Sequence, residues 1–272
     1  MKPAISLYSM NDALSSGEMN VSDVLDFYAG IGVKHVELVD GYMPADEDKA
    51  AVLSRLKKLN MDVACYSISN NFAADGDELT RNINKVRSSV AWAWYFETNV
   101  IATLAADAAA NADGKHTYEQ IIDAYKQCVD ALSYTDMVFA LENHGTFAGK
   151  AAQVKQIIQS VDSPYLTANI DTGNFLLAGD DPAEAAHSLI DYVGHVHFKD
   201  LKLSDSGEGF ETPDGKRYTG AVAGSGDVKL KKIVNLLKQK SYKGFLSLEF
   251  EGSSDNLRDD VKKSYNYLCS LL

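Results

Sequence analysis

Cysteine is scarce in this chain: Cys65, Cys128 and Cys269 stand far apart, odd in number and without a CxxC pair. That excludes a disulfide framework and a cysteine-built zinc site, and a reducing, cytoplasmic setting is expected. Each cysteine sits among apolar neighbours and reads as a small core residue rather than a nucleophile. No run of about 18 apolar residues occurs, so no transmembrane helix is expected. Residues 1–10 hold one Lys and too short an apolar stretch for a signal peptide. Basic residues are in deficit, since 26 Lys and Arg face 38 Asp and Glu and leave a net charge of −12. Such a field repels nucleic-acid phosphates and anionic membranes, so neither is an expected partner. The densest lysines, Lys57-Lys58 and Lys229, Lys231 and Lys232, fall on amphipathic segments and read as solvated helix faces. Missing too is the glycine-rich phosphate turn of a dinucleotide-binding sheet, because Ser9-Met10-Asn11-Asp12 follows the first strand.

What the chain does have is rhythm. Short apolar stretches at 4–8, 35–39, 62–67, 99–104, 137–142, 166–171, 195–199 and 245–249 predict eight strands. Amphipathic segments follow them at 21–30, 45–59, 78–96, 118–134, 151–161, 182–192, 228–240 and 256–271. Eight strand-helix units in 272 residues predict an α/β fold of the (β/α)8 TIM-barrel class, as a single domain over 1–272. One connection is too long. Connections in α/β units run about 2–6 residues, whereas the loop after strand seven spans residues 201–227. It is expected to fold over the catalytic face, because it leaves the C-terminal end of a strand.

Acids and histidines interrupt the apolar strands at one consistent place. Strand five delivers Glu142-Asn143-His144, strand six ends in Asp171-Thr172-Gly173-Asn174, strand seven reads His195-Val196-His197-Phe198-Lys199-Asp200, and strand eight ends in Glu249-Phe250-Glu251-Gly252. Four successive strands thus bring an ionisable group to the C-terminal mouth, where barrel active sites lie. Three carboxylates and an imidazole crowded there repel one another unless a cation sits between them. Glu142, Asp171, His197 and Glu249 are therefore expected to bind one divalent ion. Mixed oxygen and nitrogen donors without thiolate favour Mn2+, with Mg2+, Co2+, Fe2+ or Zn2+ as alternatives. His195 shares the parity of His197, lies one layer deeper, and is expected to be a buried supporting residue. Lys199 lies at the rim, suited either to a substrate oxygen or to an ion pair with Asp200 or a neighbouring strand end.

These segments, with Val36-Glu37-Leu38 and the Gly224-Ser225-Gly226-Asp227 turn, resemble the xylose isomerase-like barrel superfamily. Within it the chain is most similar to the sugar phosphate isomerase/epimerase group, which holds tagatose and psicose 3-epimerases, hydroxypyruvate isomerase and inosose dehydratase. The resemblance spans residues 36–252. It implies the same four ligands, Glu142, Asp171, His197 and Glu249, and gives Glu142 and Glu249 the further role of exchanging the proton beside a carbonyl through a metal-stabilised enediolate. Asn174, Lys199, His144, Glu37 and Tyr66 are the expected substrate contacts. The implied activity is isomerisation or epimerisation of a small sugar, polyol or sugar phosphate. The alternative is a dehydratase of the inosose or dehydroshikimate kind, for which Glu251, Lys199 or Tyr66 would supply the extra acid. A repair endonuclease of the same superfamily is disfavoured by six histidines and the acidic charge, and a non-catalytic sugar-binding barrel by the four intact ligands. Asn174 stands where the ketose epimerases carry His, and Lys199 and Lys202 where they carry Arg, so the substrate does not transfer with the fold. No arginine cluster marks a phosphate pocket, which favours a neutral polyol. A homo-oligomer is compatible with the sequence.

Overall fold

Eleven strands are present in a computed structural model that describes residues 1–45, 48–106, 114–252 and 256–272. They are β1 (Lys2–Ser6), β2 (His35–Val39), β3 (Asp62–Ser67), β4 (Val100–Thr103), β5 (Val138–Glu142), β6 (Leu166–Asp171), β7 (Val193–Phe198), β8 (Leu201–Leu203), β9 (Phe210–Glu211), β10 (Arg217–Gly220) and β11 (Phe245–Leu248). Eight of them close a parallel barrel in the order β1-β11-β7-β6-β5-β4-β3-β2, and β8, β10 and β9 form a separate antiparallel sheet. The expected TIM barrel is the observed fold.

Strand alternation divides the apolar side chains into two cores. Outward-facing residues such as Tyr66, Ile101, Phe139, Leu141 and Val196 pack with the helices into the large core. Full burial of side chains of this size contributes about 1.5–3 kcal/mol each. Inward-facing Cys65, Val100, Ala102 and Ala140 form a second, small cluster inside the barrel. The rest of the interior is polar: Glu37, Asn169, His195, His197 and Ser247 are all buried there. A TIM-barrel interior is usually filled by branched apolar residues. Here that space is given to a charged network beneath the mouth.

Two irregularities aim this network. The pairing of β2 with β3 slips between Val36 and Glu37, and that of β6 with β7 slips between Ala168 and Asn169. Each slip directly precedes a polar residue of the interior, as expected where a bulge re-aims a side chain. The second needs Gly194, since a Cβ there would lie 2.1 Å from Thr167 Oγ1.

Several element ends differ from the sequence expectation for local reasons. The first strand stops at Ser6, whose Oγ accepts the Tyr8 N–H at 3.2 Å and starts a 3-10 turn over Leu7–Met10. The helix expected over 118–134 runs Gly114–Val129 and gives way to a 3-10 turn at Asp130–Leu132. The helix expected from 45 runs Lys49–Leu59, and residues 46 and 47 lie outside the described residues. Asn20 does cap the helix Val21–Gly30, in a capping box with Asp23. No helix among the described residues is long and apolar enough to cross a membrane.

The excursion after strand seven carries the three-stranded sheet, and Asp200 fastens its return. The Asp200 carboxylate accepts N–H groups from Gly224 (2.8 Å), Gly226 (2.9 Å) and Val228 (3.2 Å). Gly226 is obligatory for that approach, because a Cβ would fall 2.2 Å from Asp200 Oδ1. At the other end of the excursion, Phe210, Glu211, Thr212 and Pro213 line the cavity at the barrel mouth. The segment does reach over that face.

Candidate metal centre

Each of the four expected ligands is delivered by the end of a different strand. Glu142 and Asp171 are the last residues of β5 and β6, His197 is the last but one of β7, and Glu249 follows β11 directly. One donor atom from each lies within 4.8 Å of the others, and all four residues are buried. His197 Nδ1 is the hub, 3.3 Å from Glu142 Oε2, 3.5 Å from Glu249 Oε1 and 3.9 Å from Asp171 Oδ2.

The ligands are held from outside the cluster. Asp171 Oδ1 accepts the N–H groups of Gly173 and Asn174, both at 2.8 Å, so Oδ2 is the oxygen left for the mouth. Asn143 exchanges two hydrogen bonds with the Asp171 backbone, at 2.7 and 3.0 Å. Asn174 Nδ2 donates to Glu142 Oε1 at 3.0 Å and leaves Oε2 facing the hub. Below, Glu37 Oε1 meets His197 Nε2 at 3.0 Å, Glu37 Oε2 meets His195 Nε2 at 2.9 Å, and Ser67 Oγ donates to Glu37 Oε1 at 2.5 Å. A histidine ligand held through its second nitrogen by a carboxylate is the usual arrangement around a bound metal.

Electrostatics follow from burial and crowding. Burial alone would raise Glu37, but the charge of His197 and hydrogen bonds from both histidines hold it well below the usual carboxylate range. Burial also works against ionisation of Glu142, yet His197, His144 and Lys199 hold it down to about 2. Glu249 is pushed up to about 7, first by burial and then by Glu142 and Asp171, against the pull of His197 and Lys199. Burial likewise raises Asp171, with the charge of Glu142 acting in the same direction. Burial and crowding by like charge thus make two of the three carboxylates resist ionisation, against the pull of Lys199 and His197. Asp171 Oδ2 accepts no hydrogen bond, and the Lys199 ammonium is paired with it at 3.1 Å. An oxygen-rich donor set with one imidazole and surplus negative charge fits a divalent ion.

A second group rings the mouth. Lys199 Nζ is buried 3.0 Å from Glu249 Oε2 and 3.0 Å from Glu251 Oε2, and Tyr8 donates its hydroxyl to Glu251 Oε1 at 2.9 Å. Burial would lower the Lys199 ammonium, but Asp171, Glu249 and Glu251 together raise it well above the usual lysine range. Burial and the nearby Glu251 charge raise the Tyr8 phenol, which therefore stays neutral.

A cavity of about 900 Å³ opens above these residues, and its wall includes Tyr8, Glu142, His144, Asn174, Lys199 and Glu251. The family profile for the xylose isomerase-like TIM barrel matches residues 25–271. The chain belongs to this family. Among its relatives, the 3-dehydroshikimate dehydratase of Bacillus anthracis is 22% identical over 257 residues, covering 90% of this chain and 91% of that protein. An inosose dehydratase of Mesomycoplasma hyopneumoniae is 22% identical over 274 residues, covering 94% and 90%. The solved structure of D-psicose 3-epimerase from Clostridium cellulolyticum H10, with D-tagatose, matches with a TM-score of 0.78 at 14% identity, over 100% of this chain and 99% of that one. Proteins named as dehydratases are thus among its relatives, and a D-psicose 3-epimerase shares its fold.

Two residues expected to contact substrate lie elsewhere. Tyr66 faces outward on β3, stacks on Phe96 with ring centroids 5.9 Å apart, and donates its hydroxyl to Asp40 at 2.7 Å. The alternation of β3 explains this, since Cys65 and Ser67 take the inward positions. Glu37 does face inward, but it is fully buried beneath the histidines and holds them rather than lining the cavity. His144, Asn174 and Lys199 reach the cavity as expected. Lys199 pairs with Asp171, Glu249 and Glu251, not with Asp200. Tyr8 was not foreseen. It ends the first predicted strand, so the rule that singled out the other strand ends would have found it.

Proposed function

We propose that the protein is a divalent-metal-dependent enzyme that takes a proton from the carbon beside a carbonyl in a neutral polyhydroxy ketone, and that the step ends in loss of water. A divalent ion held by Glu142, Asp171, His197 and Glu249 would polarise the carbonyl and acidify its neighbouring C–H. The remaining chemistry belongs to the protein. Glu142, at the end of β5, and Glu249, just after β11, stand on either side of His197 on β7, and either carboxylate is placed to accept the proton. His144 and Asn174 line the wall and orient hydroxyl groups by hydrogen bonds.

The observation that carries elimination over simple proton return is the Tyr8-Glu251-Lys199 cluster. Glu251 is held ionised: burial raises its carboxyl, but Lys199 and the Tyr8 hydroxyl bring it below the usual range. It therefore serves as the acceptor that fixes Lys199, whose ammonium donates to the departing hydroxyl. The C–H proton goes to a glutamate, the C–O bond breaks, and hydroxide leaves as water with the Lys199 proton. Relatives named as dehydratases support this reading. Isomerisation or epimerisation keeps one supporting feature, the pair of glutamates on two sides of one histidine. Among the described residues no arginine lines the cavity, so a substrate without phosphate is preferred.

The test is incubation of Mn2+-loaded protein in D2O with inosose, 3-dehydroshikimate, D-psicose and D-tagatose, followed by NMR. A dehydrated product from inosose, the neutral ketone, is expected, and its loss in Lys199→Met; a product from 3-dehydroshikimate alone, which carries a carboxylate, would keep elimination and overturn the neutral substrate. Formation of only a deuterated epimer from the ketoses would replace elimination with epimerisation.

A further inference from the structure

The cavity is larger than the chemistry at its floor requires. Pockets of about 300–1,000 Å³ typically enclose drug-sized ligands, and this one holds about 900 Å³. A single polyhydroxy ketone reaching the four ligands would leave much of it empty. The rest of its wall mixes apolar with polar groups. Leu104 follows β4 and Leu177 lies on the short helix after β6, and both line the cavity outside the packed core. The excursion adds Phe210 and Pro213 to the same cavity wall.

Phe210 is the informative residue. It is 45% exposed, does not join the apolar core, and lies on a short strand paired with β10. An aromatic ring left open at a cavity mouth gains nothing for folding there. A ring on a cavity wall that also holds aliphatic side chains is suited to the C–H face of a sugar, or to another flat ring, at about 0.5–1.5 kcal/mol per contact beyond area burial. Lys150 and Glu211 also stand on that wall, and both are exposed to water.

We infer that the mouth holds an outer subsite, lined by Phe210, Pro213, Leu104 and Leu177, that takes a second, neutral ring. The natural substrate is then a glycoside: a polyhydroxy ketone at the metal end, joined through a glycosidic oxygen to a second sugar ring. This rests on the functional reading above, in that one end of the substrate must sit at the four ligands. Phe210 and Leu177 are residues that set the length of the substrate and stand apart from the reacting atoms.

The experiment is titration calorimetry of Mn2+-loaded protein with D-fructose and with three ketodisaccharides that carry a second ring on it: turanose, isomaltulose and lactulose. At least one disaccharide is expected to bind about tenfold tighter than D-fructose, which corresponds to about 1.4 kcal/mol. Phe210→Ala and Leu177→Trp should abolish that gain by removing the platform or filling the subsite, and should leave the D-fructose affinity unchanged. Phe210 is exposed, so its variant folds independently of the outcome. D-fructose binding with no gain for any disaccharide would overturn the outer subsite alone, as would a gain that survives Phe210→Ala. If none of the four sugars binds in a metal-dependent way, the reading of the mouth as a hydroxy-ketone site falls, and the subsite with it.

Discussion

Glu37 and His197 meet through Oε1 and Nε2 at 3.0 Å, and this contact holds Nε2 on the side away from the mouth. With Nε2 engaged below, Nδ1 is left among Glu142, Asp171 and Glu249. Glu37 is therefore a positioning residue for the metal ligand. Glu37→Gln keeps the shape and removes the charge that favours an imidazole with its free lone pair on Nδ1. Loss of such a supporting partner typically weakens metal binding about 10–100-fold, and a Mn2+ titration should show a fall of that size. Unchanged affinity would mean that the contact only fills the barrel interior. Glu37→Ala is the more damaging change, because removing one partner from a buried charge pair costs about 3–5 kcal/mol.

Asp200 and the excursion give a second expectation. Replacing Asp200 with Ala strands three backbone N–H groups that its carboxylate now accepts. Leaving a buried donor unsatisfied costs about 1–3 kcal/mol, so urea denaturation should show a loss of at least that size. Turnover should fall further than stability predicts, since the same segment carries Phe210 to Pro213 to the cavity. Replacing residues 204–219 with a short Gly-Ser bridge separates the two effects. Melting should be nearly unchanged while turnover drops.

The barrel was legible because its signal repeats. Apolar strands and capped amphipathic helices alternate eight times, and the ordered appearance of Glu142, Asp171, His197 and Glu249 at strand ends carries its own register. What stayed hidden depends on geometry between elements distant in the chain. Parity along β7 puts His195 inside, but nothing in the sequence pairs it with Glu37, 158 residues away. Tyr66 was misplaced because its strand is buried on both faces, and a strand of that kind lacks the polar alternation that marks inside from outside. Tyr8, at the end of the first apolar run, is open to the strand-end rule, and only the turn that the Ser6 hydroxyl makes two residues earlier is invisible to it.

Asp181 offers a pH-dependent test away from the site. Its carboxylate caps the helix Pro182–Leu189 by accepting N–H groups from Ala183 at 2.9 Å and Glu184 at 3.1 Å. The Glu184 N–H, outweighing slight burial, holds the Asp181 carboxyl below its usual range. A lowered folded-state value means stability that is present above the unfolded Asp value of about 3.9 and is lost as pH falls through the folded one. Asp181→Ala should therefore cost about 0.5–2 kcal/mol at pH 7. The gap between wild type and variant should narrow as pH is brought below about 4. A gap that is constant with pH would show that the side chain stabilises by packing and not as a charged cap.

The decisive expectation concerns Glu142 and Glu249, which are asked to be ligands and proton acceptors at once. Glutamine keeps the volume and one coordinating oxygen, so Glu142→Gln and Glu249→Gln should each retain part of the metal. Neither variant can take a proton, and a positioned acid or base is typically worth about 10²–10⁴ in rate. Turnover should therefore fall by more than metal occupancy does, and the comparison of the two losses is the measurement. Epimerisation needs a proton acceptor on one face of the substrate and a donor on the other, so it predicts that both variants lose turnover alike. Elimination with Lys199 as the donor needs only one glutamate for the C–H proton. It predicts that one variant collapses while the other loses mainly metal. Near-normal turnover in both, with metal still bound, would remove proton transfer from these residues and leave Glu142, Asp171, His197 and Glu249 as a metal site whose chemistry lies with other groups of the mouth.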